Sequence, residues 1–244
     1  MNILTKTANR SIGQAMHHYS MLADGDRVLI AVSGGVDSLV LTSILKLWQH
    51  KAPIHYEIFA VYIDNGFDML TGEKVVVQLQ KAGVPFLIEK TDFWHRAATA
   101  EEGKSVCYHC ARLRRNRLFA LAEEQGFNKI AFGHHKDDIL ETFFINLLYA
   151  GNISTMVPKQ KLFNGTIHII RPLAYLDKKD ILKIAANAGI TPVKNPCPQD
   201  NDSKRQVARK VVADLSQLNP KVKSNIFAAL SNIRQEYLLD SREV

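Results

Sequence analysis

The stretch Arg27-Val-Leu-Ile-Ala-Val-Ser33-Gly-Gly-Val-Asp-Ser38 decides how this chain folds. Its first six residues, Arg27–Val32, read as a buried strand with an apolar run from Val28 to Val32, and a helical pattern from Ser38 to Gln49 follows. Between them the backbone must reverse tightly. Gly34 and Gly35 permit positive φ and carry no side chain, so successive N–H groups can turn toward an anion. Ser33 and Ser38 add hydroxyl donors, and the helix that follows brings the positive end of its dipole. No Gly-Lys-Ser/Thr follows, so this is not a Walker-A loop. Asp37 would repel phosphate unless it holds Mg²⁺ or orients the loop. A generic strand-to-helix turn explains the glycine pair but not the whole Ser-Gly-Gly-x-Asp-Ser block.

Outward from this turn, short apolar runs alternate with longer helical patterns. Strands are expected at His55–Ile63, Val84–Glu89, Lys129–Phe132 and Thr166–Ile170. Helices are expected at Glu73–Ala82, Cys110–Gln125, Asp138–Tyr149 and Asp177–Ala188. This alternation predicts an α/β fold, a Rossmann-like doubly wound parallel sheet with helices on both faces. A weakly amphipathic helix over Thr7–Met21 precedes the first strand. The segment Pro192–Ser203 reads as an irregular loop, and from Arg205 the chain is helical with a break near Asn219-Pro220. The expected organisation is an N-terminal helical extension (1–23), a central domain (24–200) and a basic helical segment (201–244).

At 46% hydrophobic and 23% charged residues, 244 residues suffice for a sizeable core. No apolar run approaches the roughly 18 residues that span a bilayer. Residues Met1–Arg10 lack the apolar stretch and cleavage site of a signal peptide, so a cytoplasmic address is expected. The net charge of +7 is modest, but its placement is informative. Arg112, Arg114, Arg115 and Arg117 follow one pair of cysteines; Lys204, Arg205, Arg209 and Lys210 follow the third cysteine. Positive charge beside a reactive centre suits a polyanionic substrate.

Those three cysteines are Cys107, Cys110 and Cys197. In a reducing compartment a CxxC pair favours metal or redox chemistry over a structural disulfide. Cys107 and Cys110, three residues apart on one turn of backbone, point the same way and can share a metal or cluster. Zinc would take four ligands, with His109 or His134 as the fourth. A cubane cluster usually has four thiolates, so three leave one iron for an external ligand such as sulfide. Persulfide chemistry is the third alternative, and all three stay open on spacing alone.

The blocks Ser33-Gly-Gly-Val-Asp-Ser38, Cys107-x-x-Cys110-Ala-Arg-Leu-Arg114, Gly133-His-His-Lys-Asp137 and Ile170-Arg-Pro-Leu, with Cys197 ahead of Arg205-Gln206, carry a resemblance in their order. Together they resemble the TtcA family of PP-loop ATP pyrophosphatases, the tRNA 2-thiocytidine synthetases, over about Lys6–Ser231. Val36 stands where that family usually has Lys, and the segment after Asp64 is shorter than its pattern.

The resemblance implies ATP, Mg²⁺ and a [4Fe-4S] cluster held by Cys107, Cys110 and Cys197, with a tRNA anticodon-loop cytidine as substrate. It implies a nucleotide site of Ser33, Gly34, Gly35, Asp37, Ser38, Gly133, His134 and Arg171. Asp64, Asp137 and Arg114 are the expected catalytic residues beside the cysteines. The sulfur donor is expected to be sulfide or a cysteine-desulfurase product, and the terminal helices offer faces for a homodimer. Two rivals remain: a PP-loop ligase or amidotransferase with zinc or persulfide cysteines, and a nonenzymatic RNA-binding or iron–sulfur protein.

Overall fold

The computed structural model describes residues 3–67, 69–100, 105–194, 197 and 203–239. The chain divides into two compact units, one of residues 1–136 and 157–200, the other of 137–156 and 201–244.

The first unit is built on a six-stranded sheet of order β3-β2-β1-β4-β6-β5. Its strands are β1 (Asp26–Val32), β2 (Tyr56–Asp64), β3 (Phe86–Lys90), β4 (Lys129–Ala131), β5 (Lys159–Leu162) and β6 (Ile167–Ile170). Every pairing is parallel except β5 with β6. The antiparallel β5 was not foreseen, because Lys159-Gln-Lys-Leu162 is a mostly polar edge strand with no alternating apolar face. It turns into β6 through Asn164 and Gly165, both at positive φ.

Helices α1 (Lys6–His18), α2 (Val36–Gln49), α3 (Met69–Ala82) and α7 (Lys178–Asn187) accompany one hydrophobic core. That core holds Val28, Ile30 and Val32 of β1 with Leu41, Ile44 and Leu45 of α2. The apolar face of α1, formed by Ala8, Ile12, Ala15 and Met16, is part of it. A second core sets Leu29, Val61, Ile63 and Ile130 against α4 (Phe93–Ala98) and α5 (Val106–Glu124). Alternate residues of β1 thus enter opposite cores, as period-two geometry requires of a strand covered on both faces. The short α4 escaped the sequence reading because its six residues carry too little periodicity.

From β1 the sheet grows outward in both directions, to β2 on one side and β4 on the other. Connections that leave in opposite senses open a crevice at the carboxyl ends of the strands, where open α/β sheets bind ligands.

The second unit comprises α6 (Lys136–Ala150) after its first residue, α8 (Ser203–Leu218) and α9 (Val222–Ala229). Leu140 and Phe144 of α6 pack with Ala208 and Val212 of α8. Glu141, only 4% exposed, accepts from Arg209 at 2.8 and 3.3 Å and lies 3.3 Å from Arg205. Lys210 pairs with Asp214 at 2.6 Å. Much of the basic cluster after Cys197 is therefore spent on carboxylates of its own unit. No described helix is long and apolar enough to cross a membrane.

Candidate active site

At the carboxyl end of β1 the loop folds as its residue types demand. Gly34 sits at φ +81°, and a Cβ there would lie 3.0 Å from the Val75 side chain. The two serines brace the turn from inside. Ser38 Oγ accepts from Ser33 N at 3.1 Å and donates to Gly35 O at 3.0 Å. Ser33 Oγ accepts from Gly35 N at 3.3 Å. Ser38 is 5% exposed, so its hydroxyl serves the shape of the loop. Gly35 is the N-cap of α2, whose first-turn N–H groups have no intrahelical acceptors.

Asp37 does not stand alone in this phosphate-type loop. Lys178 Nζ, at the start of α7, donates to both its carboxylate oxygens at 2.6 and 2.8 Å. The buried His135 places Nε2 3.6 Å from Asp37 Oδ1. Lys178 is the functional candidate the sequence reading passed over. A signal was present: a cation in the first turn of a helix opposes the dipole, which is tolerated where an anion compensates. Replacing Lys178 with Met leaves the Asp37 charge facing incoming phosphates. ATP affinity is expected to fall roughly tenfold, about 1.4 kcal/mol, with partial recovery when Asp37→Asn is added. Calorimetric titration checks this, and unchanged affinity of the single variant contradicts it.

β4 ends against the loop itself. At Gly133 a Cβ would stand 2.8 Å from the Asp37 carbonyl carbon and 2.9 Å from Ser38 N. Next to it, His134 stacks on Phe132 and accepts at Nδ1 from Arg171 Nε at 3.2 Å. Arg171, at the end of β6, is 7% exposed and also donates to the Val157 carbonyl. Both acceptors are uncharged, so neither cancels its charge. Burial, helped by the nearby charge of Arg115, pulls the Arg171 guanidinium down to about 10, leaving it cationic at neutral pH. A buried cation of this kind gains most from an anionic ligand.

Asp64 ends β2, 8% exposed, and its Oδ1 accepts from Gly66 N at 3.0 Å in a local turn. Its backbone carbonyl accepts from Thr91 N and Oγ1 at 2.9 and 2.7 Å, tying β2 to the chain leaving β3. Asp137 belongs to the second unit, where Lys223 Nζ donates to its Oδ1.

The cysteines lie inside the helix rather than before it. Ser105 caps α5 by accepting from Tyr108 N, so α5 starts at Val106 and carries both Cys107 and Cys110 in its opening turns. Cys107 is exposed, Cys110 buried and Cys197 between the two; no disulfide joins them. Burial pushes the Cys110 thiol up, Arg114 opposes this, and Cys197 and Cys107 push it up further. Cys110 is thus near enough to both other thiols to feel their charge. Chain connectivity limits how far Cys197 can lie from the loop. Val193 N donates to Gly34 O at 2.9 Å. Four residues later stands Cys197, and an extended chain of that length spans at most about 14 Å.

Among the described residues no three His, Cys, Asp or Glu side chains are drawn together as a formed metal site. The donor chemistry nevertheless fits a metal centre. Cys110, whose ionisation Cys197 and Cys107 disfavour while Arg114 opposes them, belongs to a thiol set whose repulsion a bound cation would relieve.

A family model described as a PP-loop domain matches residues 4–215. The tRNA-cytidine(32) 2-sulfurtransferase of Alcanivorax borkumensis is 38% identical over 99% of this chain and 86% of its own length. The enzyme of that name from Geobacter sulfurreducens is 36% identical over 98% of this chain and 94% of its own length. This chain belongs to the tRNA-cytidine(32) 2-sulfurtransferase family of PP-loop proteins. Among solved structures, the U34-tRNA thiolase NcsA from Methanococcus maripaludis, with its [4Fe-4S] cluster, superposes with a TM-score of 0.75. It covers 95% of this chain and 79% of that one at 20% identity, a likeness of fold. For a sulfurtransferase-family chain, the serine-braced loop after β1 is the PP-loop, and the β4 and β6 ends complete its rim.

Proposed function

We propose that this protein is an ATP-dependent tRNA sulfurtransferase that replaces the 2-oxygen of an anticodon-loop cytidine with sulfur, releasing AMP and pyrophosphate. The observation that carries this reading is the 38% identity to the Alcanivorax enzyme across nearly the whole chain. It includes both the PP-loop and the cysteine region. The residue assignments that follow are part of the same proposal.

ATP lies across the carboxyl ends of β1 and β4. Backbone N–H groups of the PP-loop and the first turn of α2 face its phosphates. Lys178 and Arg171 oppose the negative charge that builds as pyrophosphate departs, the usual source of rate in phosphate chemistry. Asp37 and Asp64 would hold Mg²⁺, which when bound would supply charge stabilisation for the phosphates. The cytidine carbonyl oxygen attacks the α-phosphorus, so an oxygen that leaves poorly becomes part of AMP. Arg114, beside Cys110, meets the resulting adenylate.

Cys107, Cys110 and Cys197 would hold a [4Fe-4S] cluster, which when bound supplies reduced sulfur to the activated carbon. Arg114 keeps cationic charge beside that position, and the buried side of Cys110 limits water there. Sulfide or cysteine-desulfurase-derived sulfur, delivered at the sulfide level, is the donor, the compartment is the cytoplasm, and the terminal helices are the surfaces for a homodimer.

The test is product analysis after incubation with ATP and tRNA. AMP and pyrophosphate formation that requires tRNA is expected. ADP and phosphate as products, or turnover indifferent to tRNA, would sink the reading.

A further inference from the structure

A cleft of about 320 Å³ lies where α4 packs on α5, lined by Arg96, Ala100, His109, Arg112, Leu113 and Asn116. This is the small end of the range for ligand sites. Spacings of three and four residues put His109, Arg112, Leu113 and Asn116 on one face of α5. Cys107, Cys110 and Arg114 form a different face, and Cys110 packs into the core with Leu118 and Leu121. The cleft is therefore separate from the thiol site, although His109 and Cys110 are neighbours in sequence.

Two observations point to an anion there. First, His109 Nε2 is buried and has no hydrogen-bond partner among the described residues, whereas buried polar atoms are almost always satisfied. Second, the charge in the cleft is barely compensated. Arg112 has no ion pair among the described residues, while Arg96 is 3.9 Å from Asp92 and rests over the Phe93 ring. Two guanidinium groups, an imidazole nitrogen and a carboxamide make a donor set suited to a tetrahedral oxyanion.

We propose that this cleft seats a backbone phosphate of the RNA substrate and so fixes how the RNA lies against α5. The proposal rests on the reading of RNA as substrate. Phosphate contacts set register and orientation without reading bases. A seat on the same helix as the cysteines, on another face, anchors the backbone while the target base reaches the thiols.

The test compares Arg96→Gln/Arg112→Gln with a charge-matched control, Lys6→Gln/Arg10→Gln, in which both exposed cations are on α1. Affinity for an anticodon stem–loop RNA is measured across salt concentrations, with thermal midpoints confirming folding. The cleft variant is expected to bind more weakly and to lose about 0.7 to 0.9 from the magnitude of the salt slope; the control keeps the wild-type slope. Equal slopes for the wild type and the cleft variant overturn the proposal and leave the sulfurtransferase reading standing. Equal losses in variant and control also overturn it, since net charge alone would then explain them.

A second arm titrates inorganic phosphate into the wild type and follows the His109 imidazole by NMR. If the wild type binds no RNA yet phosphate shifts His109, the cleft holds a free oxyanion and the backbone proposal is overturned together with the RNA reading. If neither RNA nor phosphate binds, the site itself is overturned.

Discussion

Replacing Gly133 with alanine is expected to weaken ATP binding at least tenfold, about 1.4 kcal/mol or more, without unfolding the protein. The reason is steric and local. The new methyl would stand 2.8 Å from the Asp37 carbonyl carbon, 2.9 Å from its oxygen and 2.9 Å from Ser38 N. These are main-chain atoms of the PP-loop, so no flexible side-chain end can move aside. Either the loop or the end of β4 shifts by several tenths of an ångström, and donors aimed at phosphate lose their aim. Elsewhere β4 keeps its pairing with β1 and β6, so secondary structure by circular dichroism stays at the wild-type level. Titration with a non-hydrolysable ATP analogue reads the loss. Wild-type affinity would show that the close approach of β4 to the loop has no part in nucleotide binding.

The second large effect concerns the cysteines, and burial decides which variants are clean. Cys107 is exposed and Cys197 only half-buried, so Cys107→Ser and Cys197→Ser put a hydroxyl where water or loose packing accepts it. Cys110 is 9% exposed and packs with Leu118 and Leu121; Ser there adds an unsatisfied hydroxyl at about 1 to 3 kcal/mol. Each of the first two variants is expected to reduce sulfur incorporation to background and to lower the iron retained after anaerobic reconstitution. ATP affinity stays at the wild-type level, because the PP-loop is braced by its own serines. Retained thiolation in either variant would remove that cysteine from the sulfur chemistry, and retained iron with lost thiolation would favour a persulfide role instead.

Much of the fold was legible because β1 and its loop are unusually explicit. An apolar run, Val28–Val32, followed by Ser-Gly-Gly-x-Asp-Ser admits few structures besides a buried parallel strand turning into a helix. The helical patterns after it then require crossovers and a doubly wound sheet. What stayed hidden had little local signal. Neither β5, polar and at an edge, nor α4, one and a half turns long, carries a pattern of its own. α5 begins four residues earlier than its apolar spacing suggests, because Ser105 caps it.

The site divides in the same way. Residues within one block, such as Ser33 to Ser38, announce themselves, whereas partnerships across long stretches do not. Lys178 meets Asp37 from 141 residues away, and Arg171 meets His134 from 37. The sequence reading gave Asp37 a choice between metal ligand and loop organiser; the ion pair with Lys178 is a contact that the local block did not announce. The basic run after Cys197 read as free positive charge, yet Arg205 and Arg209 sit on Glu141. By contrast, Arg112 and Arg114 of α5 have no ion pair among the described residues, whereas Arg117 on the same helix pairs with Glu89 and Glu124.

The most direct measurement is mass spectrometry of nucleosides from tRNA treated with the anaerobically reconstituted protein, ATP, Mg²⁺ and sulfide. The account predicts 2-thiocytidine, formed in proportion to AMP and absent when ATP or the Cys107–Cys110–Cys197 set is removed. Unmodified cytidine alongside tRNA-dependent AMP formation by a cluster-loaded protein would contradict it.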